Sequence, residues 1–126
     1  MKNKKFSIAK RLKSFVFAFN GLKILFREEH NALIHLVATV IVITASIVFD
    51  LNTYEWIAVI FSIGFVLTAE IFNTAIENIA DFLTTEKNEK IKKIKDLSAA
   101  AVFMSAITAL VIGLMIFLPK IIRFLF

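Results

Sequence analysis

The chain has 126 residues, enough for one domain, and 59% of them are hydrophobic, with a mean hydropathy of +0.80; this is too apolar for a soluble globule and typical of an integral membrane protein. The net charge is +5, but the basic residues flank apolar runs, so anionic headgroups and sorting across the bilayer explain them and nucleic acid does not. There is no cysteine, which excludes disulfides and thiolate metal sites and leaves the redox compartment open.

With 14 Phe, 3 Gly and 1 Pro, the composition suits long uninterrupted helices, and there is no internal repeat or low-complexity segment. A cleavable signal peptide is not expected, because the first long apolar run begins only near residue 32.

In residues 6–27, Ile8, Leu12, Phe15, Phe19, Leu22 and Phe26 share one side of a helix, with Lys10, Arg11, Lys13, Lys23 and Arg27 elsewhere around it. This segment reads as an amphipathic helix lying in the membrane surface. Residues 32–49 are uncharged and just long enough to span, and the polar turn at 50–55 ends them. Tyr54 and Trp56 stand where an aromatic belt forms, opening a second span over 56–83. Residues 84–96 form a charged loop or short helix, and a third span covers 97–119, ending at Pro119 with Lys120 and Arg123 beyond.

Eight Lys and Arg lie in residues 1–29, none in 50–55, five in 84–96 and two after 119. The positive-inside rule therefore puts the N-terminus and the 84–96 loop in the cytoplasm and the 50–55 turn outside. The architecture expected is all-α: one surface helix and three transmembrane helices. Three thin spans cannot shield many polar groups from lipid, so several copies should assemble.

Those polar groups lie in the second span. Glu70, Asn73, Glu77 and Asp81 fall at about 0°, −60°, −20° and +20° around a helix, one narrow stripe inside an apolar run. A carboxylate at bilayer depth is costly unless it faces protein, water or a metal. The stripe is a polar seam between helices or a site, and a site accounts better for three carboxylates and an amide. Glu70 lies about 21 Å below Trp56, in the inner half of the hydrocarbon, with Glu77 about 10 Å deeper at the cytoplasmic surface. Glu29, just before the first span, reaches that surface too.

Two carboxylates meeting at an aqueous boundary, with an amide and lysines nearby, suit Mg²⁺, which takes a few oxygen ligands and fills the rest of its shell with water and phosphate. Zinc fits less well, since His30 and His35 are the only histidines. His35 reads as a helix–helix hydrogen-bond partner before a ligand. Lys95 and Asp96 close the charged stretch, which taken alone is a solvated linker, and lysine is a good phosphate partner. No G-x-x-x-x-G-K-[ST] or kinase Gly-rich loop occurs, so a nucleotide needs another arrangement. A proton or ion channel is the rival from another class. It requires polar residues along the full depth, whereas 56–67 holds only Ser62 and Gly64 as breaks. An oligomeric scaffold, the second rival, needs neither Glu70 nor Lys95.

The run E-I-F-N-T-A-I-E-N, the charged stretch and K-D-L-S-A-A-A-V resemble the small three-span prokaryotic diacylglycerol kinases and their undecaprenol kinase relatives, over nearly the whole chain. The resemblance implies a homotrimeric helical bundle in the bacterial plasma membrane that uses MgATP to phosphorylate a lipid alcohol. It implies that Glu70 is the catalytic base and that Glu29 and Glu77 hold the metal bridging ATP. Asn73, Lys95 and Asp96 then complete the nucleotide site, with Glu86, Lys87 and Asn88 near it and Lys10 and Phe17 contributed by the surface helix. Around the first span, E-x-N-x-x-I-H (Glu29, Asn31, Ile34, His35) and R-x-x-S-F (Arg11, Ser14, Phe15) resemble the Gram-positive branch that acts on undecaprenol. Asn31 and His35 then stand with Glu70 on the lipid-substrate side. Diacylglycerol is the alternative substrate.

Overall fold

The structure is a computed structural model describing residues 5–126; Lys2 and Lys4, two of the eight N-terminal cations counted above, lie outside the described residues. Four helices follow one another: α1 (Ile8–Glu28), α2 (His30–Val48), α3 (Thr53–Leu83) and α4 (Glu89–Leu125). The last three are long and apolar enough to cross a membrane. At 31 and 37 residues, α3 and α4 run about 46 and 56 Å, so both extend beyond a ~30 Å hydrocarbon core.

Each joint has a local cause. Between α1 and α2 only Glu29 leaves the helical region (φ −107°, ψ 110°); its N–H still donates to the Leu25 carbonyl at 2.9 Å. Leu25 and Ala32, one on either side of the joint, are both buried. At the end of α2, Asp50 adopts φ 48°. The Asp50 N–H then donates to Ile47 O (3.2 Å) and the Leu51 N–H to Ser46 O (3.1 Å), a Schellman closure with Leu51 buried behind it. Asn52 starts α3 with a capping box: its Oδ1 accepts from the Glu55 N–H at 3.0 Å, and its own N–H donates to Glu55 Oε2 at 2.9 Å.

The charged stretch 84–96 is only partly a loop, because α4 already begins at Glu89. Asn88 caps it, its Oδ1 accepting from the Lys90 and Ile91 N–H groups at 2.9 and 3.2 Å. Glu89 in the first turn complements the helix dipole. A run of charges hides such a start, since the helix there carries no apolar period. At the other end, α4 passes through Pro119 to Leu125, beyond the expected limit of the span. Proline removes one helical N–H and strains the preceding turn. Contacts across to the α2–α3 turn hold the continuation: Lys120 Nζ lies 3.1 Å from Glu55 Oε2, and the Phe49 ring meets Phe117 and Phe124 edge-on at 6.3 Å each.

The principal packing is α3 against α4, with α2 laid on α3 and α1 folded back onto both α2 and α3. The interior has little bulk. Val59, Val66 and Ala80 are buried beside Ser46, Ser62, Thr74, Ser98 and Ser105. Small residues let helices approach closely, which is how association works where lipid is as apolar as leucine. The buried hydroxyls mostly donate to carbonyls of their own helix, as in Ser46 to Val42, Ser62 to Ala58 and Thr74 to Glu70, at 2.7 to 2.9 Å. Large apolar side chains such as Val37, Ile41, Phe61, Phe72 and Phe103 face outward, as lipid or further protein requires.

Candidate active site

The polar stripe of α3 divides between its neighbours. Glu70 faces α2, where His35 Nε2 lies 3.1 Å from Glu70 Oε1. Glu70 is 1% exposed, and among the described residues Oε1 has no aligned hydrogen-bond partner, since the close imidazole lies off the N–H direction. Asn73 faces α4, its Oδ1 accepting from Ser98 Oγ at 2.8 Å. Asp81, about two turns further along α3, also turns to α4, where Lys95 Nζ donates to its Oδ1 at 2.5 Å. Lys92 and Asp96 pair along the exposed side of α4 at 2.6 Å.

The α1–α2 joint brings Glu29 toward the same stripe. Burial at the joint, then the neighbouring Glu77 and Glu70 carboxylates, holds the Glu29 carboxyl above its ordinary value. Glu77 is half-buried. Among the described residues no three His, Asp or Glu side chains converge on one point as a ready-made metal site. Mg²⁺ does not need that, being held through one or two carboxylates and the phosphates of its substrate. Crowded carboxylates that favour a proton are also the donor set a divalent cation relieves, so Glu29 and Glu77 fit a shared Mg²⁺.

Outward from Glu70, a crevice of about 110 Å³ opens between α2, α3 and α4. His35 lines it together with Thr39, Val42, Ser62, Val66 and Gly113, whereas Glu70 does not. The imidazole therefore stands between the crevice and the buried carboxylate. Crevice, His35–Glu70 contact and the Glu29–Glu77 carboxylates follow one another along the same helices.

The other sequence-predicted residues lie apart from this centre. Asn31 is exposed in the first turn of α2. Lys10 and Phe17 are exposed on α1, and among the described residues neither bonds to the cluster. Asn88 serves as the α4 cap, with Glu86 and Lys87 exposed just before it. Ser98 and the role of Asp81 escape a reading of the sequence. The usable signal is spacing: Lys95 and Ser98 are three residues apart and so share a face of α4, the face that meets Asp81 and Asn73.

The chain matches the family described as prokaryotic diacylglycerol kinase over residues 16–117. It is 37% identical over 108 residues to the undecaprenol kinase of Bacillus subtilis, a match covering 86% of this chain and 88% of that protein. It is also 32% identical over 109 residues to a diacylglycerol kinase of Synechocystis sp., covering 86% of this chain and 62% of that protein. Fold and relatives together define a membrane-embedded lipid kinase, an enzyme that takes its phosphoryl group from ATP. The chain belongs to the prokaryotic diacylglycerol kinase family.

Proposed function

We propose that the chain phosphorylates undecaprenol, giving undecaprenyl phosphate and ADP, at the cytoplasmic face of the plasma membrane. The observation that carries this choice of lipid is the likeness to the undecaprenol kinase over 86% of the chain. The crevice beside His35 supports it. A polyprenol is a primary alcohol on a branched hydrocarbon with no ester carbonyls, and the crevice walls are mostly apolar, with Thr39 and Ser62 hydroxyls already bonded to their own helix or to none but it. Diacylglycerol also offers a primary hydroxyl, but its ester carbonyls ask for polar partners. The diacylglycerol kinase among the relatives keeps it as a second substrate.

Glu29 and Glu77 would hold Mg²⁺, whose charge would offset that of the ATP phosphates. Lys95 neutralises phosphate charge, and Asn73 and Asp96 position the nucleotide, with Glu86, Lys87 and Asn88 at its edge. Phosphoryl transfer asks a protein mainly for placement and charge neutralisation, which these groups supply. Glu70 is the base of the site, and Asn31 and His35 flank the lipid hydroxyl. The chain works as a homotrimer with its N-terminus in the cytoplasm and α1 on the membrane surface. The apolar faces left uncovered on one chain support the assembly, and α1 of a neighbouring copy can then bring Lys10 and Phe17 to the nucleotide.

The testing experiment is transfer of label from γ-³²P-ATP to lipids in micelles containing the purified protein. Labelled polyprenyl phosphate is the expected product. Label confined to phosphatidic acid would promote the second substrate, and no lipid label would refute the reading.

A further inference from the structure

We propose that Gly113 is a specificity-determining residue: by lacking a side chain it keeps the crevice between α2, α3 and α4 open to the third isoprene unit of a polyprenol. The inference rests on the polyprenol kinase reading and names the feature of this chain that admits a long branched tail.

A glycine inside a helix costs about 1 kcal/mol relative to alanine. Such a residue usually serves a backbone of positive φ or a neighbouring element that comes too close for a Cβ. Neither reason holds at Gly113. Among the described residues no glycine has positive φ, and a Cβ added at Gly113 would meet nothing within 4 Å. The same free space surrounds Gly21 and Gly64, but only Gly113 of the three lines this crevice. What the missing side chain provides there is room.

A side chain at position 113 would project into that room. The α4 wall of the crevice is made by Ala109, Ile112, Gly113 and Phe117. Relative to position 113 the other three fall at about −40°, −100° and +40° around the helix, so 113 lies inside the arc they define. The crevice is the gap left over α3, on which α2 and α4 each pack without packing on one another. His35, 3.1 Å from Glu70 Oε1, lines its inner end. Phe117, edge-on to Phe49 at 6.3 Å, bridges the gap at the outer end.

Depth gives the part of the lipid that Gly113 meets. The contacts of Ser98 with Asn73 and of Lys120 with Glu55 fix the register of α4 against α3. Between them Gly113 stands level with Val59 and Ser62, about 15 Å outward from Glu70. An isoprene unit puts four carbons along its chain, about 5 Å at ordinary carbon–carbon distances. A polyprenol with its hydroxyl at Glu70 therefore passes Gly113 with its third unit, where a methyl branch needs more width than a straight chain. A helix about 10 Å across is too wide for an opening of about 110 Å³, whereas one edge of a hydrocarbon chain fits it. The other edge of the tail stays in lipid.

The experiment measures kcat/KM for two prenyl alcohols, geraniol with two isoprene units and geranylgeraniol with four. Wild type, Gly113→Ala and Gly113→Leu are compared in the same micelles with MgATP. The shorter chain stops before Gly113, and the longer one runs past it. In Gly113→Leu the four-unit to two-unit ratio should fall at least about tenfold below that of the wild type, because one methylene in an apolar pocket is worth roughly 10- to 200-fold. In Gly113→Ala, whose added Cβ meets open space, the ratio should fall in the same direction by roughly threefold. If the leucine variant does not assemble, the alanine ratio decides alone. Ratios unchanged from the wild type, whatever the absolute rates, would overturn the proposal and reduce Gly113 to a packing residue. A wild type that phosphorylates diacylglycerol but neither prenyl alcohol would instead overturn the polyprenol reading itself.

Discussion

Glu29, the single non-helical residue between α1 and α2, lies close enough to Glu77, in the last turns of the 31-residue α3, for their charges to interact. Their proximity is felt in Glu29, whose carboxyl holds its proton more tightly because of burial and of the Glu77 charge. If both hold Mg²⁺, replacing either with Ala should abolish activity or raise the Mg²⁺ needed for half-maximal rate by at least tenfold, on the order of one lost carboxylate ligand. Metal titrations of the two purified variants check this. Unchanged metal dependence in both would rule out a shared ion.

The same proximity sets a pH dependence. A raised value means that Glu29 stays protonated to higher pH than an ordinary carboxylate, and a protonated carboxyl does not bind Mg²⁺. As pH falls through that raised value, the Mg²⁺ requirement should climb, and it should climb sooner than for an unperturbed Glu. Glu28 adds to the upward shift from outside the site. Glu28→Gln should therefore extend Mg²⁺ activation to lower pH, whereas an unchanged profile would contradict the electrostatic account.

Glu70 is buried, with His35 Nε2 3.1 Å from its Oε1. Glu70→Gln keeps shape and volume but removes the charge. It should lower turnover by roughly 10² or more while leaving assembly intact. Steady-state kinetics with a size measurement settle the matter, and near-normal turnover refutes its role.

Asp50 is the described non-glycine residue with positive φ, 48°, at the close of α2. Asp50→Gly should be neutral or mildly stabilising there, since glycine adopts this conformation freely. Asp50→Val should cost about 1–2 kcal/mol, the penalty for a branched side chain in the left-handed region. Unfolding in graded SDS micelles distinguishes the two, and equal stability would show that the turn relaxes.

Ser98 and Asn73 make a side-chain hydrogen bond between α3 and α4. Ser98→Ala should cost about 1 kcal/mol and free the Asn73 amide, because a half-buried acceptor loses its donor. The same micelle assay reads the stability. A raised KM for ATP would accompany it if Asn73 positions the nucleotide.

Much of this was legible in the residues. Long apolar runs bounded by charges gave three candidate spans, and the helical period put Glu70, Asn73, Glu77 and Asp81 on one stripe. A single-helix projection says which residues align but not which neighbour each one meets. It could not show that Asn73 and Asp81 turn to α4 while Glu70 turns to α2, because that depends on how the helices pack. The start of α4 at Glu89 was hidden for a different reason: lysines and glutamates on an exposed helix need no apolar period. Pro119 misled as a stop because propensity yields where tertiary contacts, here Glu55 with Lys120 and Phe49 with Phe124, hold the turn beyond it.

The choice of lipid is the part of the account that a single number decides: the ratio of kcat/KM for undecaprenol and diacylglycerol, measured at matched mole fraction in the same mixed micelles. An apolar crevice with no spare donor for ester carbonyls discriminates by shape and desolvation, so undecaprenol should be preferred with measurable turnover of diacylglycerol. A ratio clearly in favour of diacylglycerol would contradict the account and make phosphatidic acid the product.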